Sequence, residues 1–454
     1  MTKSMTSGGP ARLIFLFTLP ILGGNVFQQF YNMMDTLIVG RTLGVNALAA
    51  VGCTGSITFL IIGFAQGISS GLSIVTARYF GADDFDGVRR SFAANIVIGT
   101  FVTVILTALS VPMTRQILEL MRTPEAIIDD AYSFLVVIFI FIFAVMMFNV
   151  LSNVLRALGD SRTPLIFLVV ASILNIILDF TFILGFNSGV AGAGIATGIS
   201  QVVSGILCII YIAKKFPILR IRKEDFKITK NEILQHLNVG LPMGFQSSII
   251  AIGVIILQIV LNSNGETSVA AFTAAQKVEQ IILTPLSSFG LTMATYTAQN
   301  YGAGQLKRIQ MGVRRCCAMS LSYTFAITLI AFFASYPLVG IFIKDAPIVN
   351  DMASQYLKLT CLLYWALSLL YVLRYTLQGL GQSLVPTIAG VMELIMRAVG
   401  CIVLSKYFGF SGICFAYALA WPGSLLPLTI SYIITSRKLI KKEIKQQGEK
   451  QAII

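Results

Sequence analysis

Asn175 and Asp179 lie four residues apart in LNIILDFTFI (174–183), inside an apolar run that extends over 164–186. On a helix that spacing places an amide and a carboxylate one turn apart on the same face. A carboxylate in hydrocarbon costs about 2.5–3.5 kcal/mol on the insertion scale, so it needs a compensating role. A second acid, Asp35, falls near the far end of the first apolar run, and a hydroxyl, Thr197, near the start of the sixth. With a helical rise of ~1.5 Å per residue, the four residues reach similar depths. Two carboxylates, an amide oxygen and a hydroxyl are hard donors, suited to a dehydrated monovalent cation or to one shared proton. Two nearby carboxylates in low dielectric cannot both ionise cheaply. Asp35, Asn175, Asp179 and Thr197 are therefore a candidate cation-coupling site, able to take H+ or Na+.

Other polar residues fall inside apolar runs: Glu279, Glu393, Lys277, Arg374 and Arg397. Glu393 and Arg397 are four apart with the acid first, the favourable order for an ion pair within one helix. Arg374 comes close enough to a helix end to extend its guanidinium toward water. Lys277 and Glu279, two apart, cannot share a face. With Gln28, Tyr31 and Gln246 these five make up a candidate substrate cavity. Phe30, Met33, Phe245, Phe289, Met293 and Tyr296 could add a soft aromatic lining, although Met and Phe in such runs more often serve as core or lipid contacts.

The elements that must position these groups are membrane helices. The 454-residue chain is 56% hydrophobic and only 12% charged, with a mean hydropathy of +0.82. The charged fraction is about half that of an ordinary soluble protein. Its apolar runs are of helix length, not the ~10-residue alternating segments of an outer-membrane barrel. Twelve spans are expected: 12–38, 48–76, 92–112, 132–154, 164–186, 191–213, 238–261, 268–298, 317–343, 355–378, 385–405 and 411–434. The fold class is thus all-α and polytopic. With both termini in the cytoplasm, 24 of the 33 Lys and Arg fall inside and six outside, among them Lys3 inside and Lys344 outside. The net charge of +13 then reports topology in a plasma (inner) membrane and gives no support to nucleic-acid binding. Seven cysteines without metal-ligand or CxxC spacing read as packing residues. The lone His236 reads as a satisfied residue where the central loop enters span 7. The spans hold no histidine cluster, no nucleophile with a positioned base and no filter motif, which argues against an enzyme or a channel.

LRALGDSRTP (155–164) aligns with LQGLGQSLVP (377–386) at five of ten positions, offset by 222. Leu19-Pro20 and Leu241-Pro242 share that offset, and Gly189, Gly192 and Ala196 fall on Gly409, Gly412 and Ala416 at 220. Two copies of a six-helix unit follow, and an even number of spans makes them parallel repeats. The expected organisation is an amino-terminal lobe (1–213), a basic linker (214–237), a carboxyl-terminal lobe (238–434) and a basic tail (435–454) on the membrane surface.

In FQQFYNMMDTLIVGRTLGVNALAAVG (27–52), ARYFGADD (77–84), LRALGDSRTP, LNIILDFTFI, GVAGAGIAT (189–197), AAQKVEQ (274–280) and LQGLGQS (377–383), the chain resembles the multidrug and toxic compound extrusion (MATE) family. The resemblance implies an ion-coupled antiporter that exports amphipathic, often cationic compounds, and it matches the coupling residues to Asp35, Asn175, Asp179 and Thr197. Some members carry a further acidic site in spans 7 and 10; the corresponding stretches here, GFQSSII and CLLYWALSLLYVL, hold no acid. The expected partners are small organic cations and membrane lipid, with no cofactor beyond the coupling ion and with function as a monomer. The alternative is a flippase for an anionic lipid-linked precursor, which Lys277, Arg374 and Arg397 would favour.

Overall fold

The computed structural model describes residues 4–343 and 346–452, with side chains as far as Lys441. Lys3, Lys344 and the basic side chains of the tail beyond Lys441 lie outside the described residues. The first half of the chain comprises α1 (Pro10–Leu43), α2 (Val45–Gly81), α3 (Phe85–Leu120), α4 (Glu125–Ile140), α5 (Ile142–Ala157), α6 (Arg162–Phe180) and α7 (Gly189–Lys215). The second comprises α8 (Lys230–Asn262), α9 (Glu266–Gly302), α10 (Leu306–Phe333), α11 (Ser335–Gly340), α12 (Pro347–Cys361), α13 (Tyr364–Gly379) and α14 (Leu384–Ala452). Eight helices are long and apolar enough to cross a membrane, and two bent pairs, α4–α5 at 45° and α12–α13 at 54°, add two spans. α14 is two helices joined across the non-helical Gly409. α9, 37 residues long, is the remaining span, made more polar by Lys277 and Glu279. The protein is an all-helical, membrane-embedded chain of twelve spans.

The internal repeat is visible in the backbone. Phe141 and Leu363, the residues that open α5 and α13, are 222 apart. α5 and α13 end alike: Gly159 (φ 87°) and Gly381 (φ 71°) adopt the left-handed conformation that a Cβ penalises. The next residue then reaches back over the last turn, Asp160 N–H to the Leu155 carbonyl and Gln382 N–H to the Leu377 carbonyl, both at 2.9 Å. This closure satisfies carbonyls that the helix end would orphan. It is the physical content of the shared LxxLG motif, and Gly189 and Gly409 (φ 57° and 55°) repeat the same correspondence.

Contacts divide the described residues into two compact units, Pro20–Ser248 with Ser4, and those from Ile249 onward with Met5–Leu19. These boundaries differ from 1–213 and 238–434, because the opening stretches of α1 and α8 each pack in the unit built by the other repeat. In the first unit, α8 lies against α2: a Cβ on Gly67 would fall 2.5 Å from the Met243 carbonyl oxygen, and one on Gly71 would fall 2.6 Å from Gly240 Cα. Gly67 and Gly71 on one helix and Gly240 and Gly244 on the other are small residues four apart, which lets the backbones touch. In the second unit, the α1 end lies on α9, with the Thr18 and Thr292 hydroxyls 2.9 Å apart and Met5 N–H donating to Gln299 Oε1 at 2.8 Å. The connection after α7 is docked. Phe216 and Leu219 are buried with Val88 and Phe92, and Asp225 is 3.7 Å from Arg89.

Gly71→Ala should lower stability by about 1–3 kcal/mol through overpacking. Gly55→Ala, on the same helix but with nothing within 4 Å of the added carbon, should be neutral or slightly stabilising. Thermal unfolding of the two purified variants in detergent compares them directly.

Candidate functional site

In the first unit the structure brings Asp35, Asn175, Asp179 and Thr197 together and adds Tyr31. The Tyr31 hydroxyl donates to Thr197 Oγ1 at 3.0 Å. The Asn175 amide, oriented so that both its atoms find partners, donates from Nδ2 to Asp179 Oδ2 and accepts from the Thr197 backbone N–H, both at 3.2 Å. The Asp35 and Asp179 carboxyls come within side-chain hydrogen-bonding reach of each other. Asp179 and Asn175 are fully buried and Tyr31 is 6% exposed. Among the described residues neither aspartate has a cation partner, and each leaves its Oδ1 buried without a hydrogen bond. Buried polar atoms are mostly satisfied, so an unpartnered oxygen on each of two neighbouring carboxyls sets this cluster apart from the arginine-paired Glu393.

Local sequence explains the placement. Asp179 sits in the last turn of α6, where the helix widens into a π-turn at Thr181–Gly185; such widenings often accompany functional positions. Thr197 is held in register by glycines. A Cβ on Gly198 would fall 2.2 Å from the Phe141 ring, and one on Gly194 would fall 3.0 Å from Val137. α7 can therefore approach the α4–α5 bend closely enough to carry Thr197 to Tyr31. Tyr31 was legible only as cavity lining; its i, i+4 relation to Asp35 was the available signal.

The acids of the second unit are compensated. Glu393 accepts from Arg397 at 2.7 Å, as the four-residue spacing predicts, and also from Arg374 at 2.9 Å. Arg374 is 4% exposed, so the expectation that it reaches toward water is corrected: a partner on α14 holds it inside. Arg397 also lies 4.7 Å over the Tyr417 ring, a geometry that favours a cation. Glu279 is 2% exposed and accepts from the Tyr356 hydroxyl at 2.5 Å and the Tyr364 hydroxyl at 3.1 Å. Lys277 is exposed, on a different face of α9 from Glu279.

The other candidates divide by surroundings. Gln28 is half-buried, with its amide 3.5 Å from Asn32 Oδ1, and Gln246 is buried. Phe289, Met293 and Tyr296 are core residues of the second unit, whereas Phe30, Met33 and Phe245 are exposed. His236 is buried, with Nε2 2.8 Å from Ser91 Oγ and Nδ1 2.7 Å from the Glu232 carbonyl; it is a satisfied residue, as read from sequence. Cys208, Cys316, Cys361, Cys401 and Cys414 are buried, and Cys53 and Cys317 partly so.

The contrast between the units is measurable. Glu393→Gln leaves two buried guanidiniums without their carboxylate and should cost about 3–5 kcal/mol. Asp35→Asn removes a carboxylate that has no cation partner and should not lower stability. Thermal unfolding in detergent compares the two, and equal losses would contradict the asymmetry.

Comparison with known proteins agrees with this geometry. The MatE family description matches residues 20–181 and 242–403, two segments separated by the offset found in the sequence. The chain is 29% identical over 413 residues to the probable multidrug resistance protein YpnP of Bacillus subtilis, covering 90% of this chain and 91% of that one. It is 24% identical over 436 residues to the multidrug export protein MepA of Staphylococcus saprophyticus, covering 95% and 96%. A solved outward-facing multidrug resistance MATE transporter superimposes with a TM-score of 0.90 at 22% identity, covering 96% of this chain and 98% of that one. The twin match over both halves places the chain in the MatE (multidrug and toxic compound extrusion) family of membrane transporters.

Proposed function

We propose that the protein is a secondary-active antiporter that exports amphipathic organic cations, and that the Asp35–Asp179 pair is its coupling site. The observation that carries this reading is the pair itself: two facing carboxyls, without a cation, each with a free buried oxygen. One proton shared between them removes the repulsion of two charges in low dielectric. A proton asks less of the site than Na+, because one proton shared by the two carboxyls needs no further donor, whereas a dehydrated Na+ would need several oxygens, the second lone pair of the Asn175 oxygen among them. The printed names of YpnP and MepA, multidrug resistance and multidrug export, support the substrate class.

In the proposed cycle, a proton binds Asp35 and Asp179 from the outside, and the hydrogen bonds among Tyr31, Asn175 and Thr197 rearrange. α1, which carries Pro20 in its interior, and α6 then shift, and affinity for the exported cation falls. Reciprocity requires the cation to lower proton affinity by the same factor. The basic loops support a plasma-membrane protein with both termini in the cytoplasm. The coupling groups all belong to one unit of one chain, which supports function as a monomer, and no cofactor takes part. The flippase alternative loses support, since Arg374 and Arg397 are engaged by Glu393 and only Lys277 remains exposed.

Efflux of a cationic dye from proteoliposomes under separately imposed pH and Na+ gradients tests the proposal. The pH gradient should drive efflux, and Asp179→Asn and Asp35→Asn should each reduce it at least about tenfold, the scale of one lost charge interaction. Efflux driven by Na+ alone would reject the proton. Wild-type efflux by Asp179→Asn would reject the site.

A further inference from the structure

The first unit holds an apolar groove of about 670 Å³ between α3, α5, α7 and the connection after α7. Phe92, Ile96, Phe143, Met147, Val150 and Ile209 form much of its wall. Its lining on α3 runs from Phe92 to Val104, which at ~1.5 Å per residue is roughly 18 Å. That length is close to the ~15 Å of hydrocarbon in one leaflet. Several wall residues, including Val104, Phe143 and Ile209, are well exposed, so the groove opens sideways.

The charged lining lies at one end. Arg220 lines the groove there, is exposed, and makes no ion pair among the described residues, with Lys214 and Lys215 exposed nearby in sequence. Leu219, the preceding residue, packs in one cluster with Phe92, which lies one helical turn from Asn95. Asn95 is 1% exposed and also lines the groove. Its Nδ2 donates to Thr76 Oγ1 at 2.9 Å, while its Oδ1 is buried without a partner. A cation for a phosphate and an acceptor for a hydroxyl therefore sit at the same end of a slot as long as one acyl chain.

We infer that this groove is a binding site for an anionic phospholipid with a hydroxyl-bearing headgroup. The lipid comes from the leaflet on the side of the connection, its phosphate held by Arg220, a headgroup hydroxyl donated to Asn95 Oδ1, and one acyl chain laid along α3. Charge complementarity favours this occupant: the rim is cationic, which repels the organic cations proposed as cargo and attracts an anionic headgroup. The lipid is a resident ligand of one unit and not the transported molecule, so the site stands independently of the coupling reading.

Native mass spectrometry of the purified full-length chain tests this, with phosphatidylglycerol or phosphatidylcholine of identical acyl chains titrated into detergent. Phosphatidylglycerol should be retained about tenfold more strongly, the scale of one charge-assisted contact. Arg220→Gln should remove most of that preference and Arg220→Lys should keep most of it. Thr103→Phe, which fills the apolar part of the groove, should weaken both lipids. Arg220 is exposed, so the Gln variant decides the question even where Thr103→Phe fails to fold. Equal retention of the two lipids by the wild type, or an unchanged preference in Arg220→Gln, would reduce the groove to ordinary lipid-facing surface and overturn the assignment.

Discussion

A charge inside hydrocarbon has to be cancelled, and the two units do this differently. In the second unit Glu393 lies between two guanidiniums, and Glu279 is held by two tyrosine hydroxyls. In the first unit Asp179 has the Asn175 amide, and the two aspartates have each other. Among the described residues no cation completes the cancellation there, and this is the gap that the proposed coupling proton would fill. The scaffold is the same in both halves, down to the glycine that ends α5 and α13, so the difference lies in side chains placed on a shared frame. A duplicated bundle thus carries an arginine-paired acid in one half and two neighbouring acids without a cation in the other.

The two clusters differ in how easily they could rearrange. A buried carboxylate fixed by two arginines resists rearrangement, because separating the partners leaves charges unpaired. The Asp35–Asp179 pair has no such anchor. Its partners reach it from α1, α6 and α7, and these helices hold features that tolerate movement: Pro20 inside α1 and the π-turn after Asp179. α7 is the exception. Its glycines press it against the α4–α5 bend, which makes it the fixed wall for the hydroxyl of Thr197.

Much of this was legible before any coordinates. The hydropathy pattern reveals twelve spans, and the repeated LxxLG motif marks equivalent turns because a left-handed helix end requires glycine. Asn175 and Asp179 announce themselves as polar groups in an apolar run. The pairing of Arg374 with Glu393 is less visible, since it joins α13 to α14, and spacing speaks only for contacts within one helix. The unit boundaries are hidden for the same reason. Gly67, Gly71, Gly240 and Gly244 have the spacing of a close helix contact, but nothing local says that they face each other. The anionic-lipid groove is assembled from four separate segments and has no linear signature at all.

The chain has a single histidine, and its surroundings limit what the protein can sense. The Glu232 carbonyl only accepts, so Nδ1 of His236 carries the proton, and Nε2 accepts from Ser91. Taking up a second proton would require the Ser91 hydroxyl to switch from donor to acceptor and to send its own hydrogen elsewhere, which resets its contact with Thr76. The usual imidazole sensor of near-neutral conditions is thereby locked into the framework. A titration of turnover near neutrality would therefore be read against an imidazole held at both nitrogens.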